Sequence, residues 1–500
     1  TANIDVLPTL RVTDIPREAK KNEVRDSKID GRTKVQWRGT ATNGLTYFSG
    51  LAPFKDLPDE LRMLIPLFCD SLMRIGTKDK SMEELEDLIK LKTGGIKFGY
   101  HASTSPHDIL KAEEAFSLSG YAFDQNVPAM YELLNTILLG TDFDSPKAHG
   151  MIKELLRSGA DGAVDAIASR GHSYASRYAN AELNPAGKWA EQTGGLTQVR
   201  LIAGLASAEE DPAAMGELVQ QLKALQAIAV DSMRESFRAA LVCGANASGG
   251  NEEALRKFID GTRAASIASP TSTLTSQPTS SQTYPTLGQS TFFPFPTYQV
   301  SYAGLSLPTG PYTSPQTAPY AILAQLLTHK HLHHEIREKG GAYGGGASSN
   351  GLAGTFGMYS YRDPNPANTL RIMREAGQWA AEREWTDREL EEAKLSVFQS
   401  VDAPVSVNQE GMSRFLQGVD AEMDQRRREW LLDVDRRQVK EAAEALAKGL
   451  EGNRVNVALL GAEKGFVREE GWEIKEMGIA KQVAGEADVG EGAEAATAAA

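Results

Sequence analysis

Residues His329–Gly351 read HKHLHHEIREKGGAYGGGASSNG, a charged helix-forming run, a glycine pair, and then small residues suited to an extended chain. Upstream, Ser314-Pro315 supplies an N-cap and a first-turn proline. One helix is therefore expected over 315–339, with Gly340 as its C′ residue. The same helix–Gly-Gly–strand step occurs earlier, where a helix from Met82 meets KTGG (Lys92–Gly95) and the strand-like IKFGYHAS. The surroundings match in order. GLTYFSGLAPF (Gly44–Phe54) precedes a helix over about Pro58–Ile75, and TYQVSYAGLSLP (Thr297–Pro308) precedes the one over 315–339. Both blocks close on a helix followed by a short apolar strand, RAALVCG (Arg238–Gly244) and NVALLG (Asn456–Gly461). Short β-branched runs beside long amphipathic helices, repeated in one order, predict an α+β chain of two homologous domains, each a sheet packed with long helices.

Between the blocks, 266–289 is rich in Ser, Thr and Pro and carries no charge, so it reads as a linker. The expected organisation is a first α+β domain over 1–265, that linker, a second α+β domain over 290–482, and an acidic Ala/Gly-rich tail over 483–500, expected to be disordered. Composition narrows the function. The chain has 500 residues, 41% hydrophobic and 24% charged, ample for a large core. Its formal net charge of −13 argues against nucleic acid as the main partner and suits a cationic one. Two cysteines, Cys69 and Cys243, make no disulfide framework or zinc spacing. No apolar run reaches the ~20 residues of a membrane span, so no membrane insertion is expected. The opening TANIDVLPTL is neither a signal peptide nor an Arg-rich transit peptide, and without a starting methionine it is expected to belong to something longer.

The chemistry concentrates at the end of the 315–339 helix. At about 100° per residue, Ile322, Leu323, Leu326, Leu332 and Ile336 share one apolar face. His329, His333 and Arg337 fall within that face at i, i+4 and i+8. A core-facing stripe that turns polar either joins a hydrogen-bonded network or opens onto a cavity. The blander alternative is that Arg337 complements the helix dipole and the histidines are satisfied core residues. Tyr343 follows just past the helix end, so an Arg donor and a Tyr hydroxyl can serve one peptide carbonyl or oxyanion; against this stands an ordinary core tyrosine after a glycine turn. The glycines Gly344–Gly346 mark a strand that another backbone or a ligand approaches closely.

Two other readings fail on order and spacing. A phosphate loop needs strand, glycine loop and helix N-terminus, whereas these glycines follow a helix C-terminus. His329, His331, His333 and His334 suggest a metal, yet HExxH and HxxEH are both absent. The nearest fragment, His334-Glu335-Ile336-Arg337-Glu338, is an HExxE with no evident third ligand, so no metal is expected to bind here. Neither a GxSxG elbow nor a cysteine-nucleophile signature is present.

LHHEIREKGGAYGGGASSNG, together with YSYRDPNPANTL (Tyr359–Leu370) and EEAKLSVFQSVDAP (Glu391–Pro404), resembles the C-terminal half of members of the pitrilysin/insulinase zinc metallopeptidase family. The first-block segments LPDELRMLIPLFCDSL, KTGG and LNPAGKWAEQTGGLTQVRLI (Leu183–Ile202) carry the same resemblance, which extends from about Leu7 to about Leu460. It points to the branch that degrades cleaved presequences in the mitochondrial matrix. The resemblance implies four homologous domains in two halves closed round a chamber. Zinc and its HxxEH ligands would lie in the N-terminal half, which becomes the implied partner, and none would be bound by this chain. It also implies that Arg337 holds a substrate backbone carbonyl, that Tyr343 hydrogen-bonds near the oxyanion, and that His333 lines a specificity pocket. The extra histidines 329, 331 and 334 and the long linker depart from the family pattern.

Three functions are compatible with this sequence. The first is the substrate-binding half of a zinc metalloendopeptidase acting on short cationic peptides, inactive by itself. The second is a catalytically inactive, peptidase-like structural subunit, and the third a self-sufficient metalloenzyme built on the histidine cluster. Retention of Arg337 and Tyr343 with intact glycines favours the first.

Overall fold

The structure, a computed structural model, describes residues 10–265, 267, 283–452 and 454–479. Two six-stranded sheets organise it. The first contains β1 (Arg25–Ile29), β2 (Thr33–Gly39), β3 (Leu45–Pro53), β4 (Gly95–Ser105), β5 (Asp108–Phe123) and β6 (Arg238–Cys243), in the order β1-β2-β6-β3-β5-β4. The second contains β7 (Ser290–Pro294), β8 (Ser301–Pro308), β9 (Gly344–Asn350), β10 (Thr355–Asp363), β11 (Asn456–Gly461) and β12 (Glu473–Ile474), in the order β12-β7-β11-β8-β10-β9.

The two orders are the same path through the chain, with β2 to β6 of the first sheet matching β7 to β11 of the second. In each, one parallel pair (β2 with β6, β7 with β11) is followed by antiparallel ladders out to an edge strand. The sheets differ at the opposite edge, where β1 runs antiparallel to β2 but β12 parallel to β7. The two helix–Gly-Gly–strand steps lead into β4 and β9, the corresponding edge strands.

Each sheet buries one face under helices of its own half. Phe48, Phe68 and Phe116 pack under Ile65–Leu72, Val127–Gly140 and Pro212–Glu235 in the first half. Leu305, Phe356 and Met358 pack under Ala318–Leu327, Pro366–Glu382 and Arg436–Leu450 in the second. The expected helix over Pro58–Ile75 is in fact two, Asp59–Arg62 and Ile65–Leu72. Pro66 has no N–H to give the Arg62 carbonyl, so the ladder breaks there.

The opposite faces are covered across the halves. Helix Pro146–Asn180 of the first half lies on β8, β10 and β11 of the second. Tyr302 donates to the Ala168 carbonyl at 2.6 Å and Tyr298 to that of Val164 at 2.8 Å. The helix bends beside them, at Arg170, whose φ of −135° is non-helical. The reciprocal cover is smaller, with Met412 and Phe415 of the second half packing on Leu51, Ala115 and Ala240 of the first sheet. Coverage on both faces explains why β8 and β11 are buried along nearly their whole length.

Most of the predicted 266–289 linker and all of the 483–500 tail lie outside the described residues. Within the linker, 283–289 is anchored rather than free: Thr286 N–H donates to the Glu182 carbonyl at 2.8 Å, and Asn456 Nδ2 donates to Thr286 O at 2.9 Å. Among the described residues no helix is long and apolar enough to cross a membrane.

Candidate functional site

The expected single helix over 315–339 is a composite: a 3-10 turn (Pro315–Thr317), an α-helix (Ala318–Leu327) and a π-helix (Thr328–Lys339). Twelve residues of π-helix are unusual, since such geometry mostly occurs as a single wide turn, often at functional sites. The wider turn changes which residues face inward. Leu327, Leu332 and Ile336 are all fully buried, and the step from Leu327 to Leu332 is five residues. A wheel drawn at 100° per residue places His329, His333 and Arg337 on that core face. The wider turns rotate them outward instead: His329 and Arg337 are exposed and His333 is half-buried.

Glycine makes this packing possible. The π-helix lies directly against edge strand β9, and a Cβ on Gly345 would stand 2.8 Å from Ile336 Cγ2. The close approach anticipated at Gly344–Gly346 is thus filled at Gly345 by the preceding helix. Thr328 ties the two elements, accepting the Ala347 N–H at 2.9 Å and donating to the Ala347 carbonyl at 3.2 Å. At the helix end the left-handed residue is Gly341, with φ +79°, rather than Gly340. The turn closes through Gly341 N–H to Arg337 O and Ala342 N–H to Ile336 O, both 3.1 Å.

The charges on this helix are nearly all satisfied locally. Lys330 pairs with Glu392 at 3.2 Å, Lys339 with Glu335 at 2.8 Å, and His334 with Glu338 at 2.7 Å. His331 stacks on Trp379, centroids 4.1 Å apart. The Arg337 side chain has no ion pair or hydrogen bond with any described residue. His333 sits beside His329, ring centroids 5.4 Å apart; burial, His329 and the Arg337 charge hold its pKa below the ordinary imidazole value. His333 is therefore uncharged at neutral pH.

Tyr343 is 69% exposed. Its N–H donates to the Arg362 carbonyl at 3.3 Å, and its ring stands edge-on to Tyr361. The structure thus brings His333 within the field of Arg337 and sets Tyr343 against Tyr361 and Arg362. It shows no contact between the side chains of Arg337 and Tyr343 themselves. Neither the cavity of about 960 Å³ beside Tyr312 nor the one of about 690 Å³ between the halves is lined by any of the three.

Two neighbours escape the sequence reading. Arg362 has φ +49°, rare for a residue with a side chain, at an irregularity in β10; its guanidinium lies 5.3 Å from the Tyr361 ring centroid. His172 looks isolated in sequence, yet its ring lies 4.8 Å from Tyr361 and 5.3 Å from Tyr359. The YSYRDP segment is visible as a pattern, but no spacing rule connects it to His172 on a helix of the other half.

His334 and Glu338 offer two donors on one face. Among the described residues no group of three His, Cys, Asp or Glu could hold a metal ion. The donor set therefore does not fit a catalytic zinc, which needs three protein ligands and an open position.

Two family models match the chain. One, over residues 1–205, is described as the associated domain of M16 peptidases of subfamily C, and the other, over 290–460, as PreP C-terminal domain. The chain is 50% identical over 480 residues to the mitochondrial presequence protease of Gibberella zeae, covering 96% of this chain and 46% of that protein. The protein of the same name from Emericella nidulans is 46% identical over 96% of this chain and 44% of that protein. For Saccharomyces cerevisiae the identity is 35%, over 95% of this chain and 47% of that protein. The chain thus spans about half the length of the curated relatives it matches. Among solved structures, a peptidase M16 inactive domain from Pseudomonas fluorescens aligns with a TM-score of 0.58 at 16% identity, covering 88% of this chain and 98% of that one. A protease from Helicobacter pylori aligns with a TM-score of 0.57 at 12% identity, covering 88% and 100%. These two show a shared α+β fold.

Proposed function

Since the chain belongs to the presequence protease family of M16 peptidases, we propose that it is the C-terminal, non-zinc-binding half of a peptidase that degrades cleaved presequences and other short unstructured peptides in mitochondria, with the matrix as its compartment. The observation that carries this reading is the exposed pair formed by Arg337, whose charge no described residue meets, and Tyr343, held on a rigid helix–strand junction. Neither does anything for the fold that a smaller residue would not do.

In the complete enzyme the zinc, held by the partner half, supplies the hydrolytic chemistry. The residues of this chain do not fit that metal, and no step through it is assigned to them. Arg337 is placed to hold a substrate carbonyl, as a guanidinium donor on a fixed backbone. Tyr343 is placed to donate toward the oxyanion, and the uncharged His333 to line a pocket for a neutral side chain. The net charge of −13 suits a cationic peptide, since it raises the local concentration of such substrates. The test is cleavage of a fluorogenic presequence peptide by this chain alone and after addition of the zinc-bearing N-terminal half. Silence alone with activity on mixing is expected. Zinc-dependent cleavage by the isolated chain would overturn the assignment in favour of the histidine cluster. Activity of the mixture that survives loss of both Arg337 and Tyr343 would favour an inactive structural subunit.

A further inference from the structure

A cleft of about 690 Å³ lies between the two halves, walled by β4, helix Pro146–Asn180 and the sheet face of β8, β9 and β10. Its floor crosses three strands, because Ser306, Gly357 and Ser348 stand opposite one another in the β8–β10 and β10–β9 registers. Gly357 in the middle keeps that floor low.

The charge of this cleft differs from that of the molecule. In a chain with 66 acidic residues, no carboxylate lines it. Its one permanent cation, Arg177, is already engaged by the Gly194 carbonyl. Burial lowers the pKa of both lining histidines, His101 and His172, so they are uncharged at neutral pH. What remains is hydroxyls and amides. Three of these walls present a polar atom with no hydrogen-bond partner among the described residues: Ser306 Oγ, His172 Nδ1 and Asn180 Oδ1. Ser306 is fully buried. Leaving such an atom unmet costs ~1–3 kcal/mol, and buried polar groups in folded proteins are overwhelmingly paired. Three on one cleft mark where an occupant supplies the partners.

An uncharged occupant with both donors and acceptors, in a trough floored by strands, has the chemistry of an extended polypeptide main chain. The cleft also connects to the site described above. Tyr343 meets Tyr361 at 5.7 Å, Tyr361 meets His172 at 4.8 Å, and His172 meets Tyr359, which lines the cleft, at 5.3 Å. We propose that this cleft is a main-chain subsite that takes an uncharged, extended segment of the peptide engaged at Arg337 and Tyr343. The inference rests on the peptide-binding reading and adds to it where the peptide continues and that this stretch is read without regard to charge. At about 690 Å³ the cleft is within the range of small-ligand sites, enough for a few residues.

The natural cysteines make the test clean, because Cys69 and Cys243 are both buried. Ser348→Cys places an exposed thiol in the cleft, and Ser207→Cys places one outside it. The alkylation rate of each is measured with and without an acetylated, amidated octapeptide of Ser, Asn and Gly, with binding followed in parallel by calorimetry. The peptide is expected to slow Ser348→Cys at least fivefold and leave Ser207→Cys unchanged. Adding Asn180→Leu is expected to abolish that protection, whereas adding Arg337→Ala leaves at least half of it. Peptide binding that depends on Arg337 without protection of Ser348→Cys overturns the subsite and leaves the proposed function standing. Absence of both binding and protection overturns the subsite and the peptide-binding reading together.

Discussion

Tyr343 and Tyr361 stand edge-to-face, ring centroids 5.7 Å apart at 81°, which fixes the direction of a hydroxyl that the rest of the fold leaves in the open. Exposed and packed on one side only, Tyr343 is suited to donate outward. In the enzyme assembled from both halves, Tyr343→Phe and Arg337→Ala are each expected to lower kcat/KM by ~10²–10³, equivalent to about 2.7–4 kcal/mol for a lost oxyanion-side donor. Because both side chains are exposed, the Tm of each variant should match that of the parent. A Tm loss in parallel with the activity would make these residues structural and sink the assignment.

The seating of the π-helix on β9 is testable at Gly345. Its absent Cβ would meet Ile336 Cγ2 at 2.8 Å and the Tyr359 carbonyl at 3.2 Å, so neither neighbour can yield without moving an element. Gly345→Ala is expected to cost ~1–3 kcal/mol by overpacking, read from denaturant unfolding. It should also weaken peptide turnover, since the displaced helix end carries Arg337. An unchanged unfolding midpoint would show that the helix has room to shift.

The sequence reading and the structure agree where the signal is local. The Gly-Gly steps, the apolar closing strands and the α+β class are all legible, because turn chemistry and hydrophobic period act over a few residues. The π-helix is not. A wheel assumes one pitch, and nothing in HKHLHHEIREK announces that the turns widen, so His329 and Arg337 are expected inward when they face out. The cross-half contacts are equally hidden. Helix Pro146–Asn180 reads as polar and nearly isotropic, yet it covers the second sheet by fitting Gly171 against the Tyr302 ring. That pairing of distant small and large residues has no periodicity to find. His172 and Arg362 enter the site only through it.

Arg62 and Glu114 test how the first half is held together. Arg62 is 3% exposed, and Glu114 accepts from its Nε at 2.6 Å and from a second nitrogen at 2.7 Å. Burial alone would lower the Arg62 pKa, but the hydrogen bonds and charge of Glu114 overcome it and raise it. Tyr100 adds a 2.6 Å hydrogen bond to the same carboxylate. Glu114→Ala leaves a buried guanidinium short of its partner and is expected to cost about 3–5 kcal/mol. The exposed pair Arg371–Glu375 provides the contrast, and Glu375→Ala should cost below ~1 kcal/mol. Equal losses for the two would mean that Asp59 and Gln192 compensate for Glu114 in full.

Glu191 predicts a pH dependence whose sign is opposite to that of an ordinary ion-paired carboxylate. It is 3% exposed; one oxygen accepts the Thr197 N–H at 2.8 Å and the other has no partner among the described residues. Burial dominates and pushes its pKa from 4.5 to about 7, against the opposing pull of the Thr197 hydrogen bonds. Below about pH 4.5 the carboxyl is protonated in both folded and unfolded chains and carries no penalty. As pH rises from 4.5 to 7 the unfolded chain releases the proton while the folded chain keeps it, so stability falls across that window and the full loss is present above 7. The shift corresponds to ~3 kcal/mol at most. Glu191→Gln keeps an oxygen for Thr197 and removes the titration. Its unfolding free energy should therefore equal that of the parent near pH 4.5 and exceed it by up to ~3 kcal/mol at pH 8. A difference between the two that does not change with pH would show that the carboxylate is charged and solvated in the folded chain.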